Sequence, residues 1–106
     1  MPKLNFKAVA VEDVARVSEQ LLDDLQGLLQ VPRANLSIEV TPSSYVRDGV
    51  VEEAMPVVEV EWLARNRELQ DQACEIVARH LKAMGHDSAD IIFTILDPDR
   101  FYRIRP

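Results

Sequence analysis

The sequence predicts an α+β fold, a tandem β-α-β repeat forming a four-stranded mixed sheet with two helices on one face. Three observations predict it. The hydrophobic period switches from two to three or four residues and back again, and it does so twice. Met1-Pro2, which opens the first strand, returns as Met55-Pro56 at the start of the third. Thr41-Pro42-Ser43-Ser44-Tyr45 closes the second strand, and Asp97-Pro98-Asp99-Arg100-Phe101 closes the fourth. The matched positions lie 54 residues apart at the methionines and 56 at Pro42 and Pro98. Such a layout is expected of one domain over residues 1–106, with internal repeats at 1–45 and 55–102.

Each element has its own justification. Lys3 to Val9 alternates Leu4, Phe6 and Ala8 against Lys3, Asn5 and Lys7, the pattern of a strand with one buried face. From Glu12 the apolar residues Val14, Val17, Leu21, Leu25 and Leu28 fall three or four apart, predicting an amphipathic helix to about Gln30. Glu12 and Asp13 suit its positive end, and Val31-Pro32 stops it. Leu36 to Thr41 alternates again as a second strand. Asp48-Gly49 is a strong turn dipeptide, so Pro42 to Ala54 is expected to hold an excursion or a small hairpin. Val57 to Leu63 is the third strand, with Val58, Val60 and Trp62 on one face. Leu69, Ala73, Ile76, Val77, His80, Leu81 and Met84 mark a second helix that ends at Gly85. Asp90 to Leu96 is nearly all apolar, which predicts a fourth strand buried on both faces.

Strand–crossover–strand units are right-handed with parallel strands, so both helices should cover the same face. If the first and third strands pair antiparallel, Lys3 falls opposite Glu61. The apolar fourth strand then needs a cover on the open face, and a second copy of the chain is the simplest one.

Composition narrows the function classes. Lys+Arg 12 against Asp+Glu 18 leaves a formal net charge of −6, which argues against nucleic-acid or anionic-membrane partners. No apolar run exceeds four residues, Ala8 to Val11, so no membrane span is expected. No leader-like segment is present, and a cytoplasmic location is expected. One cysteine and two histidines make neither a disulfide framework nor a zinc cluster, and no cofactor is expected.

Two features bear on chemistry. A free amino terminus titrates near ~7.7–8.0, and burial or neighbouring cations push it toward the neutral form. Pro2, once Met1 is removed, would be such an amine and could take a proton from a carbon next to a carbonyl. Arg65-Asn66-Arg67 joins the third strand to the second helix. Guanidinium forks bind carboxylates bidentately, and the helix N-terminus beside them adds backbone donors. Trp62 reads as core that borders this point. Tyr45, Phe101 and Tyr102 lie just beyond strand ends, where they either close a pocket or anchor a neighbouring subunit. Arg100, Arg103 and Arg105 read as a solvated basic tail, and His80 as a satisfied core or interface histidine.

A Met-Pro start, a duplicated strand–helix–strand unit and arginines after a repeat strand together resemble the tautomerase superfamily. This group includes 4-oxalocrotonate tautomerase, macrophage migration inhibitory factor and malonate semialdehyde decarboxylase, and the chain looks nearest a bacterial branch of it. The resemblance implies a homotrimer and an isomerase acting by keto–enol tautomerisation on a small 2-oxo acid. It implies Pro2 as catalytic base, with Arg65 and Arg67 holding the substrate carboxylate and Trp62, Tyr45 and Tyr102 lining the pocket. Either Arg65 or Arg67 matches the family arginine. Asn35 stands where decarboxylase and hydratase members carry an acid, which disfavours hydration chemistry. Val11 matches Arg65 in the first half, so one site per chain is implied. Two alternatives remain open: a non-catalytic oligomeric binding or scaffold protein on this fold, and a ferredoxin-like domain with the same element order.

Overall fold

A computed structural model describes all residues, 1–106. Its elements are β1 (Lys3–Lys7), α1 (Val11–Leu29), β2 (Ser37–Thr41), β3 (Tyr45–Arg47), β4 (Val50–Glu52), β5 (Val57–Leu63), α2 (Arg67–Ala83) and β6 (Asp90–Leu96). Short 3₁₀ turns at Arg33–Asn35 and Pro98–Arg100 follow α1 and β6. The main sheet has the order β2-β1-β5-β6. β1 runs parallel to β2, β5 parallel to β6, and the two central strands β1 and β5 are antiparallel. This is the predicted α+β architecture, a four-stranded mixed sheet built from two β-α-β units.

The alternation read from the sequence decides the layers. Leu4, Phe6, Val58, Val60 and Trp62 are buried beneath the helices, where Val14, Leu21 and Leu25 of α1 meet Ala73, Val77 and Leu81 of α2. The other face carries the polar half of each strand, tied across the sheet. Lys3 pairs with Glu39 at 2.7 Å, Lys7 with Glu59 at 2.8 Å, and Thr41 Oγ1 bonds Asn5 Oδ1 at 3.0 Å. Lys3 does face Glu61 in register, yet its ammonium sits on Glu39 of the parallel neighbour.

The repeat extends to hydrogen bonding. Ser37 N–H donates to the Pro2 carbonyl at 3.3 Å, and Asp90 N–H donates to the Pro56 carbonyl at 3.0 Å. Both prolines are buried.

Two expectations are corrected and one open choice is decided. β1 stops at Lys7 instead of Val9, because Ala8 takes a left-handed φ of 62° that turns the chain into α1. The excursion is a hairpin, β3–β4, whose Asp48-Gly49 turn has φ of 51° and 79°. Within one chain β6 is not buried on both faces: it is an edge strand, with Ile92 and Ile95 47% and 51% exposed. No helix is long and apolar enough to cross a membrane.

The helix pair is locked by a polar cluster. His80 Nε2 lies 2.8 Å from Asp24 Oδ2, Gln20 Nε2 donates to Asp24 Oδ1 at 2.9 Å, and Arg79 reaches the same carboxylate at 3.3 Å. The hydrogen bond from His80 is the largest influence holding the Asp24 carboxyl below its usual range, followed among the favourable contacts by Gln20 and Arg79. A depressed carboxylate contributes stability that is complete above its unfolded value of ~3.9 and is lost as pH falls through the folded one. Asp24→Asn is therefore expected to cost about 1–2 kcal/mol near neutral pH and to flatten the acid limb of stability, read by urea titration from pH 7 to 2. An acid limb unchanged by the substitution would contradict this.

Candidate active site at the Pro2 end

The antiparallel pairing of β1 with β5 puts the start of one beside the end of the other. Lys3 is in register with Glu61, so Pro2 comes next to Trp62. Pro2 and Trp62 are both fully buried. Trp62 packs on Phe93 of β6 with ring centroids 4.9 Å apart, which fixes the indole as the floor of this end. Its Nε1–H is buried without a hydrogen-bond partner, a costly state that native proteins keep for a reason.

Arg65 follows β5 directly. Its guanidinium lies 5.0 Å from the Trp62 ring centroid, and NH1 donates to the Leu63 carbonyl at 2.9 Å. Stacking on an aromatic face sets the plane of the guanidinium and leaves most of its N–H edge open. Partial burial lowers the Arg65 pKa, while an arginine stays charged at any working pH. The Met1 amino group, which precedes Pro2, is held below its ordinary value, first by burial and then by the charges of Arg103, Arg65 and Arg105.

The remaining candidates fall in different places. Arg67, at the first turn of α2, is exposed and joined to Asp71 at 2.9 Å. Asn66 caps α2 by accepting from Leu69 N–H at 2.8 Å, so this helix terminus has already spent a donor that the sequence suggested for an anion. Tyr102 is on the segment after β6 and is exposed. Tyr45 begins β3, and its hydroxyl donates to the Met55 carbonyl at 3.1 Å. That places it beyond the far end of β1, roughly 16 Å from Pro2 at ~3.3 Å per strand residue. One chain therefore brings together Pro2, Trp62 and Arg65, with Tyr102 on the same side, and leaves Arg67 and Tyr45 apart.

Arg103 and Arg105 are exposed, as expected of a solvated tail. The topology adds their place: β6 is parallel to β5, so the segment after Leu96 leaves the sheet at the Pro2 end. A cavity of about 700 Å³ is at the opposite end, lined by residues that include Ser43, Met55, Pro56 and His86. It is broad and open and contains no arginine. No cluster of three or more His, Cys, Asp or Glu side chains is placed to hold a metal ion.

Known structures share this fold. A crystal structure from Sebaldella termitidis, described as a domain of unknown function (DUF1904), superposes with a TM-score of 0.89 at 21% identity, covering 97% of this chain and 95% of that one. A macrophage migration inhibitory factor homologue from Prochlorococcus marinus gives 0.76 at 21% identity, covering 98% and 96%. A fused 4-OT wild-type symmetric trimer gives 0.74 at 18% identity, covering 90% and 85%. No curated protein matches the chain. The fold is thus that of the tautomerase superfamily. Residues 1–104 match one family model, and the chain belongs to that family, the domain of unknown function DUF1904.

Proposed function

We propose that this protein is an isomerase that interconverts the keto and enol forms of a small 2-oxo acid, with Pro2 as base after removal of Met1. The observation that carries the reading is the joining of a buried chain start to Arg65 across Trp62. A neutral Pro2 amine would take the proton from the carbon beside the ketone. The electron pair moves onto the ketone oxygen, and the ammonium then delivers its proton to that oxygen to give the enol. Arg65 would hold the carboxylate and face the developing oxyanion, where a fixed positive charge counts most. Arg67 can assist only after leaving Asp71, and Tyr102 would line the mouth. Tyr45 would serve only a site shared with a neighbouring copy.

A homotrimer belongs to the same proposal. The half-exposed Ile92 and Ile95 on an unpaired edge favour burial against another chain, and one structural neighbour is a fused 4-OT trimer. A non-catalytic oligomer is the competing reading. It is favoured by the engagement of Arg67 with Asp71, which leaves one arginine instead of two at the carboxylate position.

Three outcomes test the proposal. On protein whose intact mass shows loss of methionine, Pro2→Ala and Arg65→Ala are each expected to lower kcat/KM for enol–keto conversion of a 2-oxo acid by about 10²-fold or more. Arg67→Ala should cost less than about tenfold, since its charge is already shared with an exposed carboxylate. Activity insensitive to Pro2→Ala would exclude the proline as base. Only the neutral amine is active, so kcat/KM should rise with pH through the titration of the Pro2 amine. Arg65→Gln removes a neighbouring cation and should move that midpoint upward; a midpoint that stays put would show that Arg65 does not face the amine. Sedimentation equilibrium is expected to give three times the chain mass, and a monomer at micromolar concentration would remove the trimer.

A further inference from the structure

Across the whole chain, one buried side-chain polar atom lacks a hydrogen-bond partner, the Nε1 of Trp62. An indole nitrogen only donates, and burying it unpaired forfeits the bond it would make to water. The acceptors around it are engaged or face away. The Leu63 carbonyl accepts from the Arg65 guanidinium at 2.9 Å, and the Pro2 carbonyl accepts from Ser37 N–H at 3.3 Å. Glu61, the preceding residue of β5, projects to the other face of the sheet. Asp97, just past β6, holds Arg100 at 3.3 Å and accepts from Asp99 N–H at 2.9 Å.

What stays open at this end donates: the indole N–H, and the guanidinium edge stacked 5.0 Å from the centre of the same ring. Unpaired donors with no acceptor of their own suit a ligand oxygen that carries negative charge. The strand register bears on which oxygen. Trp62 is the cross-strand neighbour of Pro2, whereas Arg65 lies past the end of β5. Met1 is half-buried at the same place, so the cleavage that frees the Pro2 amine also opens space beside that neighbour.

Resting on the reading that Pro2 is the base of a keto–enol isomerase, we propose that the Trp62 indole N–H donates to the ketone oxygen of the substrate. Arg65 keeps the carboxylate. The proton leaves the carbon beside the ketone for the Pro2 nitrogen, and its electron pair moves onto the ketone oxygen. The indole bond strengthens as that charge gathers, and its own proton stays on Nε1. A neutral donor suits this position, because a further cation against Pro2 would lower the basicity of the amine. The ring is held against Phe93 at 4.9 Å and stacked by Arg65, so the donor is in place before the charge appears.

Trp62 is the one tryptophan of the chain, so a ¹⁵N label on its indole reports this site alone. The test uses the full chain processed at Met1, with oxalate as probe. Oxalate is a dianion whose second carboxylate sets a charged oxygen where the enolate oxygen forms. The indole N–H resonance is expected to move downfield in step with oxalate binding measured by calorimetry. Trp62→Phe keeps a ring and removes the donor. It should lower kcat for exchange of the pyruvate methyl protons into D₂O by about 10²-fold. KM should stay within about twofold and the midpoint of the pH profile should not move, whereas Arg65→Gln moves it. Oxalate bound without a shift of the indole resonance overturns the indole assignment and leaves the Pro2 reading standing. So does a folded Trp62→Phe that keeps kcat within about twofold. If that variant does not fold, the wild-type resonance decides alone. Absence of both oxalate binding and pyruvate exchange overturns both readings.

Discussion

Antiparallel contact between β1 and β5 is the constraint on which the rest of the molecule depends. Each β-α-β unit alone is a two-stranded parallel ribbon with one helix, too little to bury its own apolar face. Joined through β1 and β5, the halves share one core: Leu4 and Phe6 sit in register with Val60 and Val58, under both helices. Burying those side chains is worth about 1.5–3 kcal/mol apiece, far more than any surface ion pair on the other face. The same contact has a chemical result. It lays the start of β1 against the end of β5, and through the parallel pairing of β6 it brings the C-terminal segment there too. The chain start, the loop after β5 and the tail are distant in sequence and come to one end of the sheet through the β1–β5 and β5–β6 pairings together.

The polar clusters divide into two kinds. Asp24, His80, Gln20 and Arg79 satisfy one another between α1 and α2, and their role is to hold the helices in one relation. At the Pro2 end the partners are missing. The Trp62 N–H has none, and the arginines there rest on aromatic faces instead of carboxylates. A chain that pairs eight of its twelve Lys and Arg side chains leaves this group open, as expected where a ligand supplies the missing partners.

Much of the fold could be read from period and punctuation. The strand faces, the two helices, the Asp-Gly turn and the Lys3–Glu61 register all follow from local pattern, because burial acts residue by residue along a strand or helix. Pro2, Trp62 and Arg65 were legible as candidates for the same reason, being adjacent to predicted strand ends. What local pattern could not supply was direction. Arg67 looks equivalent to Arg65 two positions earlier, but an acid one turn along α2 captures it. Tyr45 looks equivalent to Phe101 in the repeat, yet antiparallel halves send the two to opposite ends of the sheet. Arg103 and Arg105 read as a solvated tail and are exposed, but only the placement of β6 beside β5 tells which end of the sheet they leave from. The need for a cover on β6 was legible from its apolar run, but not that Ile95, beside buried Trp62, would be as exposed as Ile92 on the other face.

The duplication leaves Pro56 buried as Pro2 is, with a matching carbonyl hydrogen bond. Its nitrogen is nevertheless locked in the middle of the polypeptide as a tertiary amide and has no basic lone pair. Fusing two units end to end therefore halves the number of termini available for amine chemistry per unit of fold. The open cavity beside Met55 and Pro56 has no arginine in its lining, so that end of the sheet lacks both a free amine and a guanidinium.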